Sequence, residues 1–226
     1  MDDPLLNYHD AVLYEKDTYL LRTPSWLNDN VVAFYFRSAP FFLFSAYFAS
    51  SLPVPLMVRH FLPFPDDDLR ELCGVLKLCT SDLAPGAVKV VYTPITDNES
   101  FQASSSHWSL LVCHKCCCWF SHYDSGGGRN NHAANAVARQ FSKLLNGVED
   151  AQIDHVKWCP QQENGYDCGM YCCCMAEWLA KRSIKGAGTE SEIMACIQEV
   201  TPMHVSAQRK ALLEFIQRMT DGQKEI

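Results

Sequence analysis

The chain has 226 residues, and 19 lysines and arginines against 26 aspartates and glutamates give it a formal net charge of −7. This length suits one domain with a substantial core, which we place at 1–226. The acidic balance, with no run of basic residues, argues against a nucleic-acid partner. The sequence has twelve cysteines, and it opens on Asp2 and Asp3 with no apolar leader. We therefore expect a reducing compartment, cytoplasm or nucleus, in which most thiols are free.

One uncharged stretch rich in phenylalanine runs from Ser38 to Val58. Pro40, Pro53 and Pro55 interrupt it and serines dilute it, so the unbroken apolar run is too short to cross a bilayer. We expect buried loop and strand here, and no membrane contact.

The first half of the chain predicts a mixture of short helices and strands. Serine, asparagine and aspartate within the segment 24–30 offer N-caps to an apolar helical run at Val31–Phe36. The other predicted segments are a short extended piece at Tyr19–Leu21, an acid-capped helix at Asp66–Leu78, a strand at Val88–Ile95 that ends near Pro94, and a polar loop at Thr96–Ser106. The loop is long enough to be a functional flap.

The second half predicts a hairpin followed by helices. Two buried-strand patterns, His107–Cys113 and Cys116–Tyr123, lie close enough in sequence to pair. The remaining elements are a glycine-rich turn at Gly126–Gly128, an amphipathic helix over 134–145 that Gly147 ends, a strand at Gln152–Trp158, a mostly buried helix from Cys168, helices at Glu190–Val200 and Ser206–Met219, and a frayed tail after Thr220.

Three residues of this pattern suit a nucleophilic triad. Cys168 begins a helix, where the positive end of the helix dipole favours a thiolate. His107 begins one strand of the hairpin and Asp124 ends the other, so pairing would set them side by side. The imidazole would exchange a proton with the thiol, the carboxylate would orient the ring, and the amide of Gln162 would stabilise an oxyanion.

Each of these residues also has an ordinary structural interpretation. Cys168 would be a small buried hydrophobe, like most of the other cysteines. His107 would be a hydrogen-bonded strand histidine, and Asp124 a turn aspartate that bonds its own backbone. Trp26, beside a helix cap, would serve only packing.

A zinc site is a further alternative for the cysteines. Cys113 and Cys116 have the spacing of half such a site, but Cys172–Cys174 lie within a helix and supply no matching pair. We therefore expect packing at these positions, and no metal or other cofactor.

Four motifs occur in an order that is typical of one enzyme family. They are Trp26-Leu27-Asn28-Asp29, His107-Trp108-Ser109-Leu110, Tyr123-Asp124-Ser125, and Gln161-Gln162 through Asp167-Cys168-Gly169-Met170. In these motifs the chain resembles the ubiquitin-like proteases, the sentrin-specific (Ulp) cysteine proteases. The resemblance implies an α+β, papain-like cysteine protease fold, in which helices pack on a central mixed sheet.

The resemblance also implies catalytic roles. Cys168 is expected to be the nucleophile, His107 the base, Asp124 its orienting partner and Gln162 the oxyanion donor.

Substrate binding is expected from three further residues. Trp26 and Trp108 would form a narrow tunnel around the diglycine tail of a ubiquitin-like modifier, and Asp29 would meet the tail region of that modifier. Such a slot admits only residues without a Cβ atom.

Within the family the chain is most similar to the small deneddylase branch, which acts on the neddylation modifier. The similar features are the compact length, the loop Thr96–Ser106 and the opening Leu6-Asn7-Tyr8. We therefore expect a monomeric isopeptidase that processes the modifier precursor and releases the modifier from conjugates such as cullins. Two alternatives stay open: a SUMO- or ubiquitin-directed enzyme of the same family, and a catalytically silent modifier-binding module. An arylamine-type acyltransferase is disfavoured, because its triad begins with cysteine.

Overall fold

A computed structural model describes residues 3–8, 11–38, 46–48, 90–97, 107–114, 119–147, 150–184 and 189–224. Its strands are β1 (Leu6–Tyr8), β2 (Ala11–Leu13), β3 (Ala46–Phe48), β4 (Val90–Thr96), β5 (Trp108–His114), β6 (Trp119–Tyr123) and β7 (Gln152–His155). Its helices are α1 (Glu15–Arg22), α2 (Asp29–Ser38), α3 (Asn131–Asn146), α4 (Cys168–Ile184), α5 (Glu190–Ile197) and α6 (Pro202–Lys224).

Several predictions fall on residues that the structure does not describe. These are the helix at Asp66–Leu78, most of the apolar stretch Ser38–Val58, most of the loop Thr96–Ser106, and Cys116 of the zinc alternative. Within the described ranges, no helix combines the length and the apolar character needed to span a membrane.

Among the described residues, the central sheet has five strands in the order β3-β4-β5-β6-β7, and a second sheet pairs β1 with β2. β4, β5 and β6 are antiparallel neighbours, whereas β3 and β7 pair with the sheet in parallel. The sheet is therefore mixed. With α4 packed on β5, the architecture is α+β, as predicted.

The predicted hairpin is formed by β5 and β6. In its register, Leu110 lies opposite Tyr123. Continued toward the open end of the hairpin, this register brings His107 to the level of Gly126, two residues past Asp124. The hairpin therefore delivers His107 and Asp124 to the same end of the sheet.

Helix α4 lies in the core, as its sequence predicts. Residues Cys168–Ala176 are all buried, because this part of the helix is apolar or cysteine-rich on every side. Gly169 permits the closest approach: a Cβ atom there would lie 3.1 Å from Cβ of Leu27 and 3.3 Å from Cδ1 of Trp108. The helix start is thereby packed directly against β5 and the segment before α2.

Helix α2 confirms the predicted cap, since Oδ1 of Asn28 accepts a hydrogen bond from the N–H of Val31 at 3.2 Å. The extended piece predicted at Tyr19–Leu21 is wrong, because these residues belong to α1. The backbone N–H of Tyr14 donates to Oδ2 of Asp17 at 2.8 Å and closes a capping box that starts this helix. That upstream cap outweighs the extended conformation expected of residues 19–21.

The predicted ends of two strands and one helix are also wrong. β4 does not end near Pro94 but continues through it, with Pro94 opposite Leu110. β7 ends at His155 instead of Trp158, because the chain turns at 157–158. α5 ends at Ile197 instead of Val200.

The last helix is longer than predicted at both ends. Pro202 occupies its first position, where an N–H is not needed. Thr220 is buried and donates its hydroxyl to the Ile216 carbonyl at 2.9 Å, and the Gln223 amide donates to the Asn7 carbonyl at 3.0 Å. The predicted frayed tail after Thr220 is therefore wrong as far as Lys224, because the helix end docks on β1.

Candidate active site

The open end of the β5–β6 hairpin holds a buried hydrogen-bonded pair. Nε2 of His107 lies 2.6 Å from Oδ1 of Asp124, and the two side chains are 1% and 4% exposed. The contact that the sequence predicted between this histidine and this aspartate is therefore present.

Backbone donors of the following turn fix Asp124. Its Oδ1 also accepts from the N–H of Gly126 at 2.8 Å, and its Oδ2 accepts from the N–H of Asn130 at 2.9 Å. Gly127 and Gly128 have φ values of 74° and 87°, a left-handed conformation that favours glycine. The glycine-rich turn thus wraps around the carboxylate.

Opposing effects act on the pKa of His107. Burial lowers it, but the hydrogen bonds with Asp124 and Cys168 and the charges of those groups outweigh burial and raise the pKa to about 9. Burial raises the pKa of Asp124, but His107 and two backbone N–H groups lower it further than burial raises it. At neutral pH the pair is therefore imidazolium and carboxylate, and an imidazolium is the partner that a thiolate nucleophile needs.

Cys168 is the first residue of α4 and is buried. The carbonyl of Asp167 accepts the N–H of Tyr171 at 2.9 Å, which starts the helix at this point. Cys168 lies close enough to His107 to be one of the groups that raise the pKa of that histidine. Because Nε2 of His107 is engaged by Asp124, Nδ1 is the ring nitrogen left to exchange a proton with the thiol. The structure therefore brings all three predicted triad residues together.

Gln162, the predicted oxyanion donor, is tied to β6 and to the loop before Cys168. Its Oε1 accepts from the Ser125 hydroxyl at 2.9 Å, and its Nε2 donates to the Asn164 carbonyl at 2.6 Å. An amide nitrogen carries two hydrogens, so the second is available for an oxyanion.

The two predicted slot residues, Trp26 and Trp108, contact opposite ends of the segment 165–169. The indole N–H of Trp26 donates to the Gly165 carbonyl, while the side chain is 50% exposed. Trp108 is buried, and its Cδ1 lies against Gly169. One indole is therefore accessible to a ligand, and the other forms part of the packing beneath the helix start.

Asp29, the third predicted binding residue, is the first residue of α2 and is half-buried. Trp26 lies three positions earlier, in the segment that leads into this helix.

Sequence reasoning missed Asn130, which hydrogen-bonds both the backbone of His107 and the carboxylate of Asp124. Its side-chain amide donates to the carbonyls of Ile95 and His107, both at 3.3 Å, and to Oγ of Ser109 at 3.1 Å. Its backbone N–H holds Asp124. The only sequence signal is its place between the glycine-rich turn and α3.

Gln161 begins the fourth sequence motif, and the sequence alone predicted no role for it. Its amide donates to the carbonyls of Asp124 at 3.0 Å and Cys159 at 2.9 Å, and so joins β6 to the chain that leads to the nucleophile. Arg209 was missed entirely; it donates to the carboxylate of Asp167, next to Cys168.

Four other buried thiols lie near Cys168 in the core, and burial raises the pKa of each of them. Burial raises the pKa of Cys159 to about 12 and holds the pKa of Cys172, Cys173 and Cys174 above the usual range. These groups stay protonated at neutral pH and are poor nucleophiles. All the described cysteines are free, and the described part of the chain contains no cluster of three or more His, Cys, Asp or Glu side chains suited to a metal ion.

Comparison with solved structures supports this architecture. The SUMO protease Ulp1, with its catalytic cysteine oxidized to a sulfonic acid, superposes with a TM-score of 0.60 over 98% of this chain and 89% of that chain. The two sequences are 19% identical, so the likeness shows the shared fold. The predicted cysteine-protease fold is confirmed.

Comparison with protein sequences identifies the family. Sentrin-specific protease 8 of Mus musculus is 32% identical over 229 residues, covering 97% of this chain and 95% of the relative. NEDD8-specific protease 1 of Arabidopsis thaliana is 30% identical over 227 residues, covering 96% and 94%. A model of the Ulp1 protease family, C-terminal catalytic domain, matches residues 25–200. The chain, whose sequence motifs already indicated this assignment, therefore belongs to the Ulp1 family of cysteine proteases.

Proposed function

We propose that this enzyme is a thiol protease that trims the NEDD8 precursor and releases NEDD8 from conjugated proteins, by cleaving after the C-terminal diglycine of NEDD8. The observation that carries the proposal is the buried His107–Asp124 pair at 2.6 Å, which lies next to Cys168 at the start of α4. A binding module has no use for this set of groups. The arrangement therefore favours catalysis over modifier binding alone.

The reaction proceeds in two steps. The Cys168 thiolate attacks the carbonyl carbon of the last glycine, and the oxyanion that forms is stabilised by the free N–H of the Gln162 amide. The His107 imidazolium then gives its proton to the leaving amine, and a thioester remains on Cys168. His107 next takes a proton from water, whose oxygen attacks the thioester and releases the modifier with a free carboxylate. Asp124 keeps the ring oriented throughout.

Substrate selection begins at the two indoles. The exposed ring of Trp26 lies over the tail, and Trp108 supports the floor beneath Gly169. A tail that passes this point must be narrow, which fits two glycines. Asp29, at the start of α2, meets the tail region. Most of the affinity comes from the globular body of the modifier, outside the catalytic slot.

The choice of NEDD8 is supported by the relatives at 30% identity or more, one of which is named as NEDD8-specific. The proposal extends to conjugates such as cullins, to a monomeric enzyme, and to action in the cytoplasm or nucleus.

The test is a comparison of kcat/KM for NEDD8, SUMO and ubiquitin, each carrying a C-terminal fluorophore. NEDD8 is expected to be cleaved fastest, and Cys168→Ala is expected to abolish cleavage. A large preference for SUMO or ubiquitin contradicts the substrate assignment. Activity that survives in Cys168→Ala contradicts the mechanism, and failure of a C-terminal vinyl sulfone modifier to label Cys168 favours a silent binding module.

A further inference from the structure

The guanidinium of Arg209 joins parts of the chain that meet beside the active site. Arg209 lies on α6 and is buried, and its Nε and Nη2 lie 3.0 and 2.9 Å from Oδ1 of Asp167. Asp167 is buried as well and directly precedes Cys168. A buried charge pair of this kind is strongly ordered, because each charge depends on the other for compensation.

The same guanidinium holds the segment that leads to Trp26. Its Nη1 donates to the carbonyl of Leu20 at 2.6 Å, and its Nη2 donates to the carbonyl of Ser25 at 3.1 Å. Ser25 is the residue before Trp26. A planar group with several donors can make these bonds together with the carboxylate bonds, whereas a single ammonium cannot.

Asp167 extends the constraint to Gln162 through Asn164. Oδ2 of Asp167 accepts from the Asn164 amide at 2.8 Å, and Oδ1 of Asn164 accepts the Asp167 backbone N–H at 3.0 Å. The Asn164 carbonyl then accepts from Nε2 of Gln162 at 2.6 Å. A continuous path of hydrogen bonds therefore runs from Arg209 to the Gln162 amide.

We propose that Arg209 is a positioning residue for the reaction, which fixes the Gln162 amide and the Trp26 segment at the same time from the C-terminal helix. The roles of Gln162 and Trp26 on which this rests come from the proposed function. One side chain would thereby couple the alignment of the oxyanion donor to the alignment of the entrance to the slot.

The kinetic test is a double-mutant cycle of Arg209→Lys with Gln162→Ala. Arg209→Lys keeps the positive charge near Asp167 but loses the planar guanidinium that donates to several partners at once. In this proposal Arg209 acts on kcat through Gln162. Arg209→Lys is therefore expected to lower kcat about tenfold in the parent enzyme. In the Gln162→Ala background the same substitution is expected to lower kcat less than about twofold. The loosened Trp26 segment is expected to raise KM in both backgrounds. An equal loss of kcat in both backgrounds overturns the proposal.

Arg218→Lys is the matched control, because Arg218 is exposed on the same helix. It is expected to leave kcat and KM unchanged. If Arg209→Lys does not fold, Asn164→Ala breaks the path between Asp167 and Asn164 and keeps Arg209 with its own bonds to Asp167. It is expected to lower kcat about tenfold with little change in KM, and a normal kcat in this variant overturns the proposal.

Hydrogen–deuterium exchange supplies a readout that needs no substrate. Arg209→Lys is expected to speed amide exchange in both 20–27 and 161–167 and to leave the β5–β6 hairpin unchanged. Faster exchange confined to α6, or spread evenly over the chain, overturns the proposal. A parent enzyme that cleaves none of the modifiers contradicts the proposed function instead, and the exchange result then decides whether Arg209 orders the two segments.

Discussion

The hydroxyl of Ser125 donates to Oε1 of Gln162 at 2.9 Å, and the Ser125 carbonyl accepts the backbone N–H of Gln162 at the same distance. Ser125 directly follows Asp124, the carboxylate that orients the histidine. The residue that holds the proposed oxyanion donor is therefore the direct neighbour of the residue that carries the triad carboxylate, just after β6.

This relationship predicts the effect of Ser125→Ala. The variant loses one hydrogen bond that orients the Gln162 amide, a loss of about 0.5–1.5 kcal/mol, so kcat is expected to fall by a factor of about 2 to about 13. KM is expected to stay the same, because the hydroxyl faces Gln162. Steady-state kinetics on a fluorophore-tagged modifier measures both.

Ser142→Ala is the matched control for this prediction. Ser142 is also buried, and its hydroxyl donates to the Asp150 carbonyl at 3.1 Å, at the far end of α3. It is expected to keep the parent kcat. A Ser125→Ala enzyme with the same kcat as Ser142→Ala contradicts the prediction.

The raised pKa of His107 predicts the basic limb of the pH–rate profile. The imidazolium must donate a proton to the leaving amine, so kcat/KM is expected to fall above about pH 9, where His107 loses its charge. In Asp124→Asn the ring loses the negative charge that raises its pKa and keeps only a weaker hydrogen bond to a neutral amide oxygen. The fall is therefore expected to begin at lower pH, with a maximum reduced at least about a hundredfold.

The control for this profile is Asp154→Asn, which removes the same charge from an exposed position on β7. Its basic limb is expected to stay near pH 9. If the limb of Asp124→Asn also stays there, the assignment of that limb to His107 is wrong.

Gly126 lies directly against His107, the proposed catalytic base. A Cβ atom at this position would lie 2.3 Å from Cε1 and 2.7 Å from Nε2 of His107, closer than real Cβ contacts allow. Gly126→Ala is therefore expected to displace the ring from Asp124, with a loss of kcat of at least about a hundredfold and a lower melting temperature. Kinetics and thermal unfolding monitored by circular dichroism measure the two effects.

Gly222→Ala makes the same change where a Cβ atom meets nothing within 4 Å. Alanine is the better helix former, so this variant is expected to keep its activity and to be as stable as the parent or slightly more so. Full activity in Gly126→Ala would contradict the close packing at the ring.

The triad was predictable because each member lies at an element boundary that local sequence marks. Cys168 separates a polar loop from an apolar helix, and His107 and Asp124 bound two adjacent strand patterns. Hairpin pairing then leaves little freedom in where these ends meet. The position of Gln162, one loop before the nucleophile, already suggested its role as oxyanion donor, and the family resemblance gave it the same role.

The supporting network was not predictable, because its partners are far apart in sequence. Arg209 and Asp167 are separated by 42 positions, and an arginine on an amphipathic helix ordinarily indicates a solvated face. The error at Tyr19 has a similar cause. The residues that decide its conformation are the capping pair Tyr14 and Asp17, and the Asp17 carboxylate accepts hydrogen bonds from Asn28 and Asn30, more than ten positions away.

A second buried histidine, His122, predicts a pH dependence of stability. Its Nε2 lies 2.9 Å from Oγ of Ser109, and its Nδ1 lies 3.0 Å from Nδ1 of His155. Burial is the main reason that its pKa is lowered to about 4, and the charge of His155 acts in the same direction, although the charge of Asp124 opposes both.

The sign follows from where the proton binds. Between pH 6.5 and 4 the unfolded chain protonates this histidine, whereas the folded protein does not, so the free energy of unfolding falls as the pH falls through this range. The full loss is on the order of 3 kcal/mol for this one group. Above pH 6.5 both states are neutral at His122, and its contribution no longer changes with pH.

His122→Gln removes the titrating group and keeps an amide that can bond Ser109. Its free energy of unfolding, measured by urea denaturation from pH 4.5 to 7, is expected to depend less steeply on pH than that of the parent. His132→Gln removes an exposed histidine from α3 and is expected to keep the slope of the parent. Equal slopes in all three proteins would mean that His122 does not titrate differently in the folded and unfolded states, and that other groups set the acid sensitivity of the fold.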